Sequence, residues 1–447
     1  VSTAPEGHML SRRSLISGTV KTVAGTALLA HAKSYASILG ANDRLNVAIV
    51  GTNSRALAHL SGLKANAATT RVTHLCDVDS RNLDAFAQKT KAELGYTPAT
   101  TKDFREVLAA QDVDFVTIAT PDHWHAPMAI LALKAGKHVY VEKPSSHNPR
   151  EGELLIAAQK KYGKLVQVGN QHRSNVHERM MVEKIHQGLI GRTYAATAWY
   201  SNTRPSMGIG KPVAVPAELD WELWQGPAPR SAYKDNIHPY NWHWLRRYGT
   251  GEALNNGTHE TDVCRWALDV NIPEVVTAVG GRYQFHDDWE FYDTLNVSFK
   301  YADKVLNWNG RSDQGMKLYG RDRGALIQGE KGSVVLAADG YEVYDWKGTK
   351  TDQYQVKRVA SSSDLLSQDE MTSLHFANLV AGIRNGEQLH SAISDINISI
   401  TALQLANISY FVGRDLKVDT ASGHIRNDAE AMKLWSRTYE PGWEPKL

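Results

Sequence analysis

Only two cysteines, Cys76 and Cys264, occur in the 447 residues. Both stand in apolar surroundings, which reads as buried free thiols and excludes a disulfide scaffold or a cysteine metal site. Charge of one sign is equally scarce. Fifty Lys+Arg against 48 Asp+Glu leave a formal net charge of +2, too small an excess to argue for nucleic acid or an anionic membrane as partner. There are no internal repeats and no low-complexity tracts. What remains is ordinary globular composition, 42% hydrophobic and 22% charged, over a length that asks for two domains.

The N-terminal stretch reads as an address. Ser11-Arg12-Arg13-Ser14-Leu15-Ile16 precedes a weakly apolar, Ala/Gly/Thr-rich run to about Ala32, interrupted by Lys21. The run is too polar to span a membrane. It is similar to a twin-arginine export signal, with Ala30-His31-Ala32 as a candidate cleavage site and Met9 as a candidate initiator. The expected location is therefore the periplasm, or otherwise outside the cytoplasm. The expected division is 1–40 signal or arm, 41–169 nucleotide-binding domain, and 170–447 substrate-binding and oligomerisation domain.

From Leu45 to about Gly169, short apolar runs alternate with amphipathic ones. Strands are expected at Val47–Val50, Val72–Leu75, Phe115–Ala119, His138–Val141 and Leu165–Val168. Helices are expected around 56–66, 81–93, 103–110, 125–135 and 150–162. That alternation predicts a parallel, doubly wound α/β sheet. After a helix around 174–187 and a strand at Thr193–Tyr200 comes a long irregular region, 201–248. It holds six of the fifteen prolines and Trp221, Trp224, Trp242 and Trp244; loops of this length are usually functional. Short β-like runs follow at Val275–Gly281, Thr294–Phe299, Lys304–Trp308, Leu318–Gly320, Ala325–Gln328, Ser333–Leu336 and Glu342–Tyr344, predicting an open, mostly antiparallel sheet. Helices around 369–385 and 395–412 close the pattern.

The first strand runs directly into Gly51-Thr52-Asn53-Ser54-Arg55-Ala56. Of the three glycines of the dinucleotide fingerprint, only the first is present. A tight turn at Gly51, with Asn53, Ser54 and Arg55 opening a helix, still offers amide groups to a pyrophosphate. Asp77 ends the second strand, where a carboxylate accepts hydrogen bonds from ribose hydroxyls and repels a 2′-phosphate. This favours NAD over NADP, with Arg81 nearby as the contrary signal.

Three further runs carry chemistry: Thr120-Pro121-Asp122-His123-Trp124-His125, then Gly136 to Val141-Glu142-Lys143-Pro144, then Gly249 to Asn255-Asn256-Gly257-Thr258-His259-Glu260-Thr261-Asp262. In this order and spacing, over roughly residues 45–345, the chain resembles the Gfo/Idh/MocA family of dehydrogenases, which includes glucose-fructose oxidoreductase and inositol dehydrogenase. The resemblance implies a Rossmann domain followed by an α/β domain with an open sheet, and a sugar or polyol bound beside the nicotinamide. It also implies dimers or tetramers formed through the open sheet face. By carry-over, Lys143 lies near the reacting hydroxyl, His259 is the acid/base, and Thr120, Pro121, His125 and Glu142 stand beside the cofactor, Glu142 as a brace. Many relatives have an aspartate four residues before the histidine; here it is Asn255. Asparagine orients a hydroxyl but does not stabilise an imidazolium by charge. With both residues expected on one helix face, the proton traffic should then fall on Lys143.

His172 and Arg173, in the Asn170–Arg173 run, are candidate substrate contacts. So are Tyr240, Trp242 and His243, because aromatic faces pack on pyranose C–H faces. His123, His125, His172, His243 and His259 lack an accompanying carboxylate cluster, so no metal is expected.

An exported enzyme has no obvious pool of NAD to exchange with, so the cofactor should be tightly held and the net reaction redox-neutral. The primary expectation is an oxidoreductase acting on a ring hydroxyl of a sugar or glycoside, with C3 favoured. The alternative is a glycosidase working by oxidation, elimination, hydration and re-reduction, without the usual carboxylate pair. A non-catalytic sugar-binding protein is a third reading, against which Lys143 and His259 both count.

Overall fold

The computed structural model describes residues 44–356 and 370–447. The twin-arginine run, with residues 1–40, lies outside them. The first half is a six-stranded sheet in the order β3-β2-β1-β4-β5-β6. In chain order it comprises β1 (Leu45–Val50), α1 (Ser54–Ala65), β2 (Thr70–Cys76), α2 (Ser80–Leu94), β3 (Ala99–Thr101), α3 (Phe104–Ala109), β4 (Phe115–Ile118), α4 (Asp122–Lys134), β5 (His138–Val141), α5 (Pro149–Tyr162) and β6 (Val166–Val168). Val47, Ala48 and Ile49 are fully buried, as a central strand covered by helices on both faces must be. The paired strands run parallel, with Val47 opposite Phe115 and Phe115 opposite His138. Chain order reverses between β1 and β4, so a crevice opens at their carboxyl ends.

After a 3-10 turn at Gln171–Ser174 come α6 (Val176–His186) and β7 (Thr193–Ser201), the central strand of the second sheet. Region 201–248 is mostly irregular, with α7 (Trp221–Gln225) and a 3-10 turn at Asn241–Trp244. It is bonded to the end of β2: Asp220 N–H donates to the Val78 carbonyl at 3.0 Å and Ser80 N–H to that of Glu218 at 3.1 Å. Then follow α8 (Gly251–Asn255), α9 (Gly257–Leu268), β8 (Val275–Gly281), β9 (Thr294–Lys300), β10 (Val305–Arg311), β11 (Arg323–Gly329), β12 (Gly332–Ala337), β13 (Gly340–Asp345) and β14 (Lys350–Gln355). Last come α10 (Glu370–Asn385), α11 (Ile393–Val412), β15 (Leu416–Lys417) and α12 (Ala429–Met432). The nine strands order as β14-β13-β12-β11-β7-β10-β9-β8-β15. β7 and β10 are parallel; the other pairs are antiparallel. α10 packs back on α1, and α11 on α5 and β8.

The α/β Rossmann sheet and the mostly antiparallel second sheet are as expected. Some details are not. Leu318–Gly320 is no strand but a tight turn, with Tyr319 at φ 51° and Gly320 at φ 73°. β14 was not anticipated, because its KTDQYQ sequence is polar on both faces and wholly exposed, as suits a sheet edge. Asn255 and His259 do not share one helix: α8 ends at Asn255 and α9 begins at Gly257. Gly257 lies against Trp308, where a Cβ would come 2.6 Å from the indole nitrogen.

Candidate active site

One cavity of about 270 Å³ runs along the crevice from Gly51 and Asp77 to Lys143, Asn255 and His259. Its first end is made by backbone. Gly51 has φ 82°, and a Cβ there would come 2.7 Å from the Ala119 carbonyl, so only glycine lets β1 and β4 close this tightly. Asn53, Ser54 and Arg55 line the cavity at the start of α1, where no side chain caps the helix and no acid sits in the first turn. The amide groups of the first helical turn and the positive helix end there suit a phosphate. Asp77 Oδ2 accepts from Thr52 N–H at 2.7 Å and Thr52 Oγ1 at 2.9 Å, and its Oδ1 accepts from Asp79 N–H at 2.9 Å. Burial raises the Asp77 carboxyl against these bonds. Thr120 and Pro121 form the facing wall.

Arg55 is turned away from a phosphate role. Its Nε donates to Glu142 Oε1 at 2.7 Å and its Nη2 to Thr372 at 3.1 Å. His59 Nε2 lies 2.9 Å from the same Glu142 oxygen. Burial alone would raise the Glu142 carboxyl, but Arg55, His59 and Lys143 outweigh it and hold it well below the usual range. Glu142 therefore braces the site as a fixed anion. His125 is likewise a strut: Nδ1 lies 2.6 Å from the Pro144 carbonyl and Nε2 2.7 Å from that of Thr120, tying the loops after β4 and β5 together.

At the other end, Lys143 Nζ donates to the backbone carbonyl of Asn255 and, at 3.2 Å, to Asn255 Oδ1. That carbonyl is available because α8 stops there, leaving its last acceptors without helical partners. Burial lowers the Lys143 pKa, Glu142 and Asp122 oppose it, and Arg55 and Arg323 add to the lowering. His259 is held well below the ordinary imidazole value, by burial first and then by His172, Arg323, Lys143 and Arg55. Its Nδ1 is buried with no hydrogen-bond partner. The geometry thus offers a buried amine with depressed basicity beside a neutral imidazole, a pair suited to moving a proton to or from a hydroxyl.

Tyr240, Trp242 and His243 line the wall. His243 stacks on Trp242, with ring centroids 3.6 Å apart, and its Nδ1 faces the Tyr240 carbonyl at 2.6 Å. Burial pushes it down to about 3.

His172 and Arg173 do not reach the cavity. Each step of a 3-10 turn rotates a side chain by about 120°, so neighbouring residues face different ways. Gln171 takes the cavity position. Arg173 forms a bidentate pair with Asp262 at 2.7 and 2.9 Å, under Trp266. Sequence reasoning missed Gln171 and also Asp122, a buried cavity acid that accepts from Thr250 Oγ1 at 2.5 Å. Asp122 lies inside the Thr120–His125 run, which was the available signal. Trp443 also lines the cavity, edge-on to Trp124 with centroids 5.3 Å apart; nothing in its local sequence marked it. Among the described residues, no group of three or more His, Cys, Asp or Glu could hold a metal ion, and no helix is long and apolar enough to cross a membrane.

Residues 45–170 match the family model GFO_IDH_MocA, described as oxidoreductase family, NAD-binding Rossmann fold. This segment is a Rossmann domain similar to that family's. Glycosyl hydrolase family 109 protein 2 of Shewanella sp. (strain ANA-3) is 27% identical over 307 residues, covering 62% of this chain and 62% of its own length. Inositol 2-dehydrogenase of Rubrobacter xylanophilus is 28% identical over 171 residues, 38% of this chain and 48% of its own. The chain thus spans less than two thirds of the length of these curated relatives. WlbA dehydrogenase from Bordetella pertussis, solved with NADH and UDP-GlcNAcA, matches 84% of this chain and 99% of its own at 19% identity and TM-score 0.63. Levoglucosan dehydrogenase with NADH and levoglucosan matches 84% and 99% at 18% identity and TM-score 0.64. The likeness to these two structures extends over both sheets.

Proposed function

We propose that this protein is an NAD-dependent carbohydrate oxidoreductase with a retained cofactor, acting on a ring hydroxyl, C3 in our reading, of a sugar or glycoside. One observation carries the reading: Lys143, Asn255 and His259 meet at one end of a cavity whose other end is the Gly51 turn, the uncapped start of α1 and Asp77. The α1 amides would hold a pyrophosphate, and Asp77 an adenosine ribose without a 2′-phosphate. NAD, when bound, supplies the acceptor and donor of hydride. Lys143 Nζ accepts the hydroxyl proton as the carbon becomes a carbonyl, and returns it in the reverse direction. Asn255 orients the hydroxyl, and Tyr240 and Trp242 offer ring faces to the sugar. The solved relatives bound to UDP-GlcNAcA and levoglucosan support a sugar-type substrate. Retention is supported by the bonding of the 216–220 loop to Val78 and Ser80, next to Asp77. Export by way of Ser11–Ile16 and assembly into a dimer or tetramer belong to the same proposal.

The similarity to glycosyl hydrolase family 109 proteins favours a second reading. A carbonyl at C3 acidifies the C2 proton; His259 removes it, and the aglycone leaves C1 with a proton. Water adds across the resulting double bond and the carbonyl is reduced again, so the sum is hydrolysis.

Ultraviolet spectra of the purified and denatured protein, followed by incubation with aryl α- and β-glycosides without added NAD, separate these readings. Phenol release beyond one turnover supports elimination. A 3-keto sugar without phenol supports the oxidoreductase. No released cofactor and no response to added NAD(H) overturns both.

A further inference from the structure

The carboxylate that many relatives place beside the histidine is absent at Asn255, yet His259 has an ion pair behind it. His172, from the Gln171–Ser174 turn, stacks on His259 with ring centroids 5.0 Å apart and planes 29° from parallel. Its Nδ1 lies 2.9 Å from Glu178 Oε1, on the first turn of α6. All three side chains are buried, Glu178 at 1% exposure. Asn175 caps α6 through its side chain, accepting from Glu178 N–H at 3.4 Å, which fixes where the carboxylate emerges.

We propose that Glu178 and His172 are positioning residues for His259: the Glu178 carboxylate fixes the His172 ring, and that ring holds His259 in place from behind. This rests on the reading of His259 as a site base. The surrounding charges agree. Burial alone would lower His172; Glu178, then Glu260 on α9, outweigh it against Arg323 on β11, and the net is a rise. Glu260 is itself bound by Arg323 at 2.6 and 3.0 Å. His259 meets the opposite balance: burial, His172, Arg323, Lys143 from the end of β5 and Arg55 from α1 all disfavour its proton. Positive charge on the His172 ring, stacked 5.0 Å away, disfavours a proton on His259. His259 can relay a proton but not keep one. This differs from a His–carboxylate dyad, which stabilises the protonated ring.

The test follows His259 itself. Ring-labelled histidine is titrated by NMR, with the His259 signal assigned by its loss in His259→Gln, in the wild type, in Glu178→Gln and in His172→Phe. Phenylalanine keeps a stacking ring without charge. The expected result is that His259 gains about tenfold or more in proton affinity, about one pH unit, in both variants. If a turnover assay is in hand, the acid limb of its pH profile moves by the same amount. An unchanged His259 titration in folded Glu178→Gln overturns the proposal, even should His172→Phe fail to fold. A shifted titration in a protein that neither holds NAD nor acts on sugars upholds the pair and rejects the functional reading.

Discussion

The two ends of the cavity are built by different means. The dinucleotide end is a product of parallel strand topology: Gly51 and Asp77 follow β1 and β2, Thr120 follows β4, and the key donors are main-chain amides at the start of α1. The end proposed for the sugar is assembled from side chains on remote segments: Lys143 after β5, Gln171 from a 3-10 turn, Tyr240 and Trp242 from the long loop, and Asn255 and His259 from two successive helices. Backbone geometry is shared by every sequence that adopts the fold, whereas side-chain geometry is particular to this one. Damage at the first end should therefore appear as lost cofactor affinity, and damage at the second as lost turnover or altered substrate preference.

The largest effect should come from Lys143→Met. The amine and its hydrogen bonds to Asn255 go, and turnover should fall by about 10²–10⁴-fold, the usual worth of a positioned proton acceptor. Cofactor content after gel filtration should be unchanged, because Lys143 is at the sugar end. Near-wild-type turnover would remove Lys143 from the mechanism.

Acidification should strike the sugar end next. His243 is pushed down to about 3 by burial and His259 well below its ordinary value. A histidine whose folded value is depressed contributes its full stability above the unfolded value of about 6.5, and loses it as pH falls toward the folded value. Each should lower stability by about 1.4 kcal/mol per pH unit below about 6.5. Thermal melts at pH 7 and pH 5 should show the loss, and His243→Phe should reduce it. A melting temperature independent of pH between 5 and 7 would break this side of the comparison.

Gly51→Ala tests the backbone end. A Cβ 2.7 Å from the Ala119 carbonyl, at φ 82°, strains the turn by about 1–3 kcal/mol. NAD affinity, read by titration of protein fluorescence, should weaken by about tenfold, since the α1 amides move with the turn. Turnover of the fully loaded enzyme should hardly change. A large loss of turnover at saturating NAD would show the two ends to be coupled.

The unequal legibility of the two ends has the same origin. Val47–Val50 and His138–Val141 announce themselves as apolar runs because a parallel sheet buries both faces, and Gly51 and Asp77 follow from where those strands stop. Lys143 and His259 were readable through their motifs. That Gln171, and not His172 or Arg173, lines the cavity is not legible, because a linear sequence does not say which residue of a 3-10 turn faces inward. Gly257, just after the helix break at Asn255, packs against Trp308, 51 residues away in the chain, and Trp443 reaches the cavity through tertiary packing on Trp124. Contacts of that kind carry no local period.

The smallest effect should come from Tyr240→Ala. Tyr240 is 45% exposed, so its removal opens little core. Its ring lies 4.5 Å from His243 by centroid and its hydroxyl accepts from Arg204 Nη1 at 3.1 Å. Arg204 stays anchored by Glu252 at 2.6 Å, so the fold should be intact and the melting temperature nearly unchanged. Loss of a partly exposed ring face from the proposed sugar subsite predicts a KM raised about two- to tenfold with kcat retained. Trp242→Phe, which keeps a ring in the buried position, should do less still. Should Tyr240→Ala instead lower kcat with KM unchanged, the residue acts on the reacting centre rather than on binding. The aromatic wall would then belong with Lys143 and His259.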